Sequence, residues 1–377
     1  MREVDICIIG GGIAGLSLGA RCAAHGSVVV LEAESQPGYH ASGRSVAFAH
    51  YGLGNDAIKA LTALSMDALA APAADGHPPV ASIHPALHIA RAHQIEALDA
   101  LEAVHALYRC NYARISAQEA RTYLPALSTG PDHCADALID HGSLKLDADA
   151  MVQGALRQLR ARGGDLIARA QVRSLSRESG NWKVEAGEAQ LRARLLVNAA
   201  GAWADEIAQL AGAQPIGIEP RRRTVISFAG PQGIDVLHWP FVKTIGEGFY
   251  LLPEGTGRLL ASPMDETPSP PCDAAPEELD VATIAHRIEE ASDLAVARIE
   301  HSWAGLRTFA RDELPVVGHD EQCPGFFWFA GQGGAGLQIS PALARIGEAL
   351  ACELAWPGDC AAAGLSAAQL SPERFRG

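Results

Sequence analysis

The first thirty-two residues constrain this chain more than any other stretch. Val4-Asp5-Ile6-Cys7-Ile8-Ile9 is a short, mostly apolar and β-branched run, the pattern of a strand buried on both faces of a parallel sheet. Gly10-Gly11-Gly12-Ile13-Ala14-Gly15 follows at once. In such a turn Gly10 permits the tight bend, Gly12 lets the main chain approach a pyrophosphate, and Gly15 lets a helix pack closely on the strand. That helix is expected to reach about His25-Gly26, with unpaired N–H groups and the positive dipole end at its start offered to an anion. Ser27-Val28-Val29-Val30-Leu31 reads as a second strand ending in Glu32, twenty residues after Gly12. A carboxylate there binds ribose hydroxyls and repels a 2′-phosphate. A glycine triplet alone is weak evidence; strand, turn, helix, strand and acid together predict an adenine-dinucleotide site.

Composition narrows the partners. At 377 residues, 48% hydrophobic and 20% charged, the chain is globular and long enough for two domains. A formal net charge of −14 argues against nucleic acid, which needs a basic face, and against an anionic membrane surface. The eight cysteines are scattered, with no C-x-x-C pair and no Cys/His cluster at metal spacing, so no metal is expected. Cys7 in a core strand and Cys22 in the first helix read as buried thiols of a reducing compartment. With no leader pattern and no run of eighteen apolar residues, the expectation is a cytoplasmic protein without an integral membrane segment.

Along the chain, residues 33–54 are rich in Gly, Ser and His. Arg44, with Ser42 and Ser45, offers donors beside an anion; an ordinary surface turn is the alternative. Residues 55–70 predict a helix behind the N-cap Asn55, broken over 72–79 by prolines. A strand is expected over 81–90 and a helix over 93–109. Ser116-Ala117-Gln118-Glu119 carries a capping box, and another helix over 147–162 stops at Gly163-Gly164. Strands over 170–178 and 182–186 flank a hairpin. Residues 191–198 form a strand running into Ala199-Ala200-Gly201, with a helix opening at Ala202-Trp203; small residues there let backbone approach a ligand. Strands over 224–228, 239–253 and 258–264 suggest an antiparallel sheet, and 277–292 a helix. Phe326-Phe327-Trp328-Phe329-Ala330 is an apolar strand before Gly331-Gln332-Gly333-Gly334-Ala335-Gly336 and a helix over 337–354. That loop can set main-chain N–H groups against a flavin edge. The dinucleotide fold is therefore split between the two termini, with another domain inserted.

Gly10 to Gly15 with Glu32, Ala41-Ser42-Gly43-Arg44-Ser45, Val197-Asn198-Ala199-Ala200-Gly201-Ala202-Trp203, Trp303-Ala304-Gly305-Leu306-Arg307 and Gln332-Gly333-Gly334-Ala335-Gly336-Leu337-Gln338 together resemble the FAD-dependent D-amino-acid oxidase family. The pattern is nearest to its bacterial D-arginine and D-amino-acid dehydrogenases and spans nearly the whole chain. The resemblance implies an α/β fold, α+β overall. Its split Rossmann-like FAD-binding domain of glutathione-reductase type would occupy residues 1–54, 141–212 and 303–377. The inserted substrate domain, on a mostly antiparallel sheet, would occupy 55–140 and 213–302. It implies FAD contacts from Gly10, Gly12, Ile13, Ala14, Gly15, Glu32, Ala33, Ser42, Gly43, Arg44, Ser45, Val172, Ala200, Gly201, Trp203, Gly305, Arg307, Gly333, Gly334, Ala335, Gly336, Leu337 and Gln338. With no cysteine beside Arg307, the FAD is expected to be non-covalent.

By the same resemblance a substrate carboxylate is clamped by Arg223, Arg307 and Tyr250, Tyr51 belongs to a lid, and Gln338 meets flavin and ligand. Two guanidinium forks suit a carboxylate in a dry pocket. A surface basic cluster with Arg221 and Arg222, or for Arg307 a structural ion pair, is the alternative. The chain departs from the pattern at 46–51, which is two residues short. Phe48 stands where a polar histidine is expected, and His50 either replaces it or is structural. Pro85-Ala86-Leu87-His88 contains no acid to select a cationic side chain. That gap and Phe241 lead to an expected neutral or apolar side chain. The expected reaction is oxidation of an amino acid, of D configuration, to an imino acid by hydride transfer to flavin N5, giving a 2-oxo acid and ammonia. Electrons would pass to a quinone or O2. Oxidation of a secondary amine (sarcosine, glycine, proline) or a 2-hydroxy acid is the alternative, and a flavin-binding protein without turnover a further one.

Overall fold

The computed structural model describes residues 1–72 and 78–376. The prolines at 72 and 79 bracket five residues, 73–77, of the expected helix break, and those lie outside the described residues. The helix itself, Asp56–Ala70, has Asn55 accepting from the Ile58 N–H at 3.1 Å.

The strand Arg2–Ile9 is central to an eight-stranded sheet. It pairs in parallel with Val28–Leu31 on one side and Ala189–Asn198 on the other. Phe326–Ala330 and Asp165–Ile167 extend the parallel part, and Val172–Glu178, Asn181–Ala186 and Val316–His319 add antiparallel strands. The parallel strands draw on widely separated parts of the chain, so the dinucleotide fold is split. Helices Ile13–Cys22, Ala148–Ala161 and Gly336–Ala351 bury Leu16, Leu18, Leu159, Leu343 and Ile346 against one face of the sheet. Glycine is required at two positions here. Gly10 has φ +111°, and a Cβ would stand 2.2 Å from the Ala199 carbonyl oxygen; at Gly15 it would stand 2.0 Å from that of Gly10.

A nine-stranded, largely antiparallel sheet forms the other layer. Its order runs Thr267–Pro268, Glu219–Ala229, Arg258–Ser262, Tyr250–Glu254, Phe241–Thr244, Ala86–Ala90, Asp136–Asp140 and Tyr112–Ser116, with Ile299–Phe309 on the free side of Glu219–Ala229. Opposed residues of paired strands share a face, and the two faces differ. One carries Leu87, Ile226, Phe228, Val242, Leu251 and Ala261 into a core with helix Glu278–Ala291. The other carries Phe241, Tyr250, Leu252 and Val225 with the functional residues described below.

Three expectations shift. The strand over 81–90 is two strands in different sheets, because Ala81–Ile83 pairs with Leu144–Leu146 while Ala86–Ala90 joins the large sheet. The strand over 239–253 is a pair, Phe241–Thr244 and Tyr250–Glu254. Helix Asp56–Ala70, expected with the substrate domain, buries Ile58, Leu61 and Leu69 in the core of the dinucleotide sheet against Gly336–Ala351. Among the described residues no helix is long and apolar enough to cross a membrane.

Candidate active site

A cavity of about 730 Å³ lies between the two sheets. Its dinucleotide wall is built from the turns after the parallel strands. Glu32 is buried, its carboxylate accepting from the Gly11 N–H at 2.8 Å and the Glu34 N–H at 2.9 Å. The acid is thus fixed at the end of its strand beside the glycine turn. The first helix opens toward the cavity, and Ser42 brings its hydroxyl to the Ile13 N–H at 3.0 Å. A Cβ added at Gly12 would meet only Ser42, and one at Gly201 would meet nothing within 4 Å. The wall is therefore hollow where an extended ligand must lie. Asn198 fixes the Ala199-Ala200-Gly201 turn by donating to the Ala204 carbonyl at 2.7 Å. Gly333, Gly334, Gly336 and Leu337 add the start of a second helix whose cap, Ala335, supplies no side-chain acceptor. Two helix N-termini and a buried acid fit a dinucleotide with a pyrophosphate and a ribose diol.

Gly10, Gly12, Ile13, Ala14, Glu32, Ala33, Ser42, Arg44, Ser45, Val172, Ala200, Gly201, Trp203, Gly305, Arg307, Gly333, Gly334, Gly336 and Leu337 all line the cavity. Gly15, Gly43 and Ala335 are not in its lining; the first two permit close packing of backbone, and Ala335 is buried. Arg44 lines it without a free fork: its guanidinium is paired with Asp273 and donates to the carbonyls of Ala274 and Ala304. These contacts tie the 33–45 loop to the 273–274 segment and to strand Ile299–Phe309.

The second sheet supplies the other wall. Arg223, Tyr250 and Arg307 line it. Arg307 follows from its strand register, standing opposite Arg221 while Arg223 stands opposite Gly305, all on one face. Gly334 makes room for it, since a Cβ there would lie 2.7 Å from the Arg307 Nη1. Burial, and then the neighbouring Arg223, lowers the Arg307 pKa to about 10. Glu266 answers the charge of the pair. Its Oε1 accepts from Arg223 Nη2 at 2.8 Å and lies 3.6 Å from Arg307 Nη1, while Oε2 lies 3.6 Å from Arg221 Nη1. A protein carboxylate thus already occupies one side of the clamp. Glu266→Gln is expected to tighten the dissociation constant of a simple monocarboxylate about two- to fivefold, the scale of a half-exposed ion pair. Titration calorimetry checks this, and weaker binding would show that Glu266 orients the clamp instead.

Three expected contacts are absent from the cavity lining. Tyr51 is buried and stacks on Tyr108 with ring centroids 5.1 Å apart. Gln338 donates to Thr62 Oγ1 at 2.7 Å, because its side of the first turn of its helix faces helix Asp56–Ala70. His50 is buried, its Nδ1 accepting from the Gly52 N–H at 3.1 Å, with its ring 5.1 Å from Phe241 and 5.4 Å from His88. All three side chains are buried, and none is in the lining of the cavity.

Sequence reading missed Gly11, Glu34, His40 and Thr308 in the lining, along with Cys272, and it missed Lys243. Strand pairing sets Lys243 opposite both Tyr250 and His88, on the face of the clamp. An alternating Phe241-Val242-Lys243-Thr244 strand was the available signal. Burial, followed by Arg223 and Arg307, lowers the Lys243 pKa from 10.5 to about 8. Between those values the unfolded chain binds more protons than the folded one, so the cost of Lys243 is full below about pH 8 and fades toward pH 10.5. Lys243→Met is therefore expected to raise Tm by a few degrees at pH 7 and hardly at all at pH 10.5. Calorimetric scans at both pH values test it; an equal gain at both would contradict the assignment.

A family profile described as DAO, FAD dependent oxidoreductase, matches residues 5–350. The chain is 28% identical over 167 residues to the FAD-dependent oxidoreductase domain-containing protein 1 of Mus musculus, covering 40% of this chain and 34% of that protein. It thus spans about a third of the length of the first curated relatives it matches. Among solved structures, it is similar to L-proline dehydrogenase from P. horikoshii with a TM-score of 0.80 at 18% identity, covering 100% of this chain and 98% of the other. Iminodiacetate oxidase from Chelativorans sp. BNC1 gives a TM-score of 0.80 at 20% identity, covering 97% and 98%. At these identities the likeness shows the fold.

Proposed function

We propose, from the premise that this chain belongs to the DAO family of FAD-dependent oxidoreductases, that it oxidises a 2-amino acid at its C–N bond. The product is a 2-imino acid, which water converts to a 2-oxo acid and ammonia. FAD is the cofactor, and when bound it supplies the acceptor for the two electrons and hydrogen that leave Cα. In this reading Glu32 holds the ribose, the N-terminus of helix Ile13–Cys22 the pyrophosphate, and the 333–337 loop the flavin, without a covalent link.

The carrying observation is the convergence of Arg307, Arg223 and Tyr250 on one wall of the same cavity. Two guanidinia and a phenol form a planar, donor-rich seat for a carboxylate. Holding the carboxylate there fixes Cα, and the apolar rings of Phe48 and Phe241 behind Tyr250 keep the surroundings dry. The D configuration rests on the resemblance of the clamp to D-amino-acid dehydrogenases. Neighbours named for L-proline and iminodiacetate support amine donors in general.

The test is anaerobic. The purified holoprotein is mixed with D- and L-amino acids, sarcosine, proline and 2-hydroxy acids while the visible flavin band is followed. Bleaching by an amino acid, D before L, is the expected result, and readmitted air then separates an oxidase from a dehydrogenase. Bleaching by 2-hydroxy acids alone would replace the amine with an alcohol, and no bleaching by any of them would overturn the enzymatic reading.

A further inference from the structure

The face that holds the clamp carries more positive charge than one carboxylate can answer. Reading across the paired strands, it presents Arg307, Arg223, Tyr250, Lys243 and His88 in spatial order; the first three line the cavity, and Lys243 and His88 continue the same face behind Tyr250, outside that lining. The clamp uses the first three. Lys243 donates to its neighbouring Thr244 carbonyl at 3.2 Å, and among the described residues no carboxylate stands within ion-pair distance of it. Glu266 is the acid whose charge reaches it, and that carboxylate is engaged by Arg223. His88 is 0% exposed, and both of its ring nitrogens lack a hydrogen-bond partner.

An unanswered buried cation and a buried imidazole with no partner each cost stability. Such costs persist where a ligand supplies the missing partner. The surroundings strengthen any partner that arrives, since the rings of Phe48 and Phe241 lie against His50 and Tyr250 and exclude water. Other titratable groups facing the cluster add no free acid. His50 lies beside His88, and behind both His105 stands 3.3 Å from Asp140, whose carboxylate also accepts from Ser143 at 2.6 Å. Burial, then the charges of His50 and Lys243, holds the His88 pKa well below its ordinary value, so the ring is neutral and offers a carboxylate one N–H.

Resting on the reading that Arg307 and Arg223 hold the α-carboxylate, we propose that Lys243 and His88 form a second anion subsite, which takes a distal carboxylate. The amino acid oxidised is then dicarboxylic, of the aspartate or glutamate class. This replaces the neutral or apolar side chain expected from Phe241 and the missing acid. The absence of an acid from residues 85–88 goes with a cation at Lys243, and the pair inverts the selectivity that an acid there would give. Glu266 and Asp265 lie beside the two arginines, Asp265 Oδ1 standing 3.8 Å from Arg223 Nε, so the cation left without a carboxylate at ion-pair distance is Lys243, and a second ligand carboxylate supplies it.

The experiment uses the holoprotein and two carboxylates that cannot be oxidised at an amine, glutarate and butyrate, with titration calorimetry at constant ionic strength. Glutarate is expected to bind at least about tenfold tighter than butyrate, the scale of one charge-assisted hydrogen bond. Lys243→Met should erase most of that ratio, and His88→Gln should reduce it severalfold, providing a second variant if the first does not fold. In turnover, the preference of kcat/KM for glutamate over glutamine, in whichever enantiomer reacts, should collapse in the same variants. If butyrate binds and glutarate binds no tighter, or if neither variant changes the ratio, the subsite is overturned while the clamp stands. If neither carboxylate binds, the clamp reading fails and the subsite falls with it.

Discussion

Replacing Arg307 by methionine lowers kcat/KM for a 2-amino acid by about a hundredfold to a thousandfold, the scale of removing one partner of a desolvated charge pair. The physical reason lies in the burial of the group. Arg307 is enclosed by Gly334 on one side and by the strand of Arg223 on the other, and desolvation together with Arg223 lowers its pKa to about 10. An arriving carboxylate relieves that tension, so the interaction is stronger than at an exposed arginine. Methionine keeps the stem and removes the fork. Lysine keeps the charge and also fails, because one ammonium cannot match a planar carboxylate with two parallel N–H groups. Steady-state kinetics on both variants measure the loss, and the flavin-to-protein absorbance ratio shows whether cofactor binding survives. A loss below about threefold with full cofactor would remove Arg307 from the clamp and leave it a structural ion-pair partner of Glu266.

The second large effect is in the glycine turn. Gly10→Ala is expected to destabilise the protein by about 3 kcal/mol or more and to leave it largely free of FAD, since backbone strain and overlap add. Gly10 holds φ +111°, and its added Cβ would lie 2.2 Å from the Ala199 oxygen and 2.8 Å from the Ala199 carbon. Neither neighbour can retreat cheaply. Ala199 donates to the Ile9 carbonyl at 2.9 Å, and Gly10 to that of Leu31 at 2.9 Å, so the displacement reaches the adjoining parallel strands. A thermal scan and the FAD content of the purified variant give the two readouts. Unchanged Tm and full FAD would show that the turn accommodates a side chain and that the geometry above is wrong.

The nucleotide half was legible because its parts are neighbours in sequence. Gly10, Gly12, Gly15 and Glu32 belong to one strand, turn, helix and strand, so local periodicity and spacing define the site before any tertiary contact is known. The same holds for Ala199-Ala200-Gly201 and for the 333–337 loop, each lying between a strand and a helix. Arg223, Tyr250 and Arg307 were found through resemblance, and the strands that carry them do converge on the cavity.

The direction a side chain faces was decided elsewhere. Tyr51, His50 and Gln338 look like site residues in sequence and are drawn into packing against Tyr108, His88 and Thr62. Arg44 is claimed by Asp273, which follows it by more than two hundred residues. Lys243 and His88 carry no motif and join the face of the clamp only through strand pairing, and Glu266, likewise without a motif, meets it from the residue before Thr267–Pro268. By itself, then, the sequence determined the cofactor class and the turns that receive it, because short-range sterics and hydrogen bonding set those shapes. Only the tertiary structure decided which charges share a pocket, because a one-residue change of register between distant strands sends every side chain to the opposite face of the sheet.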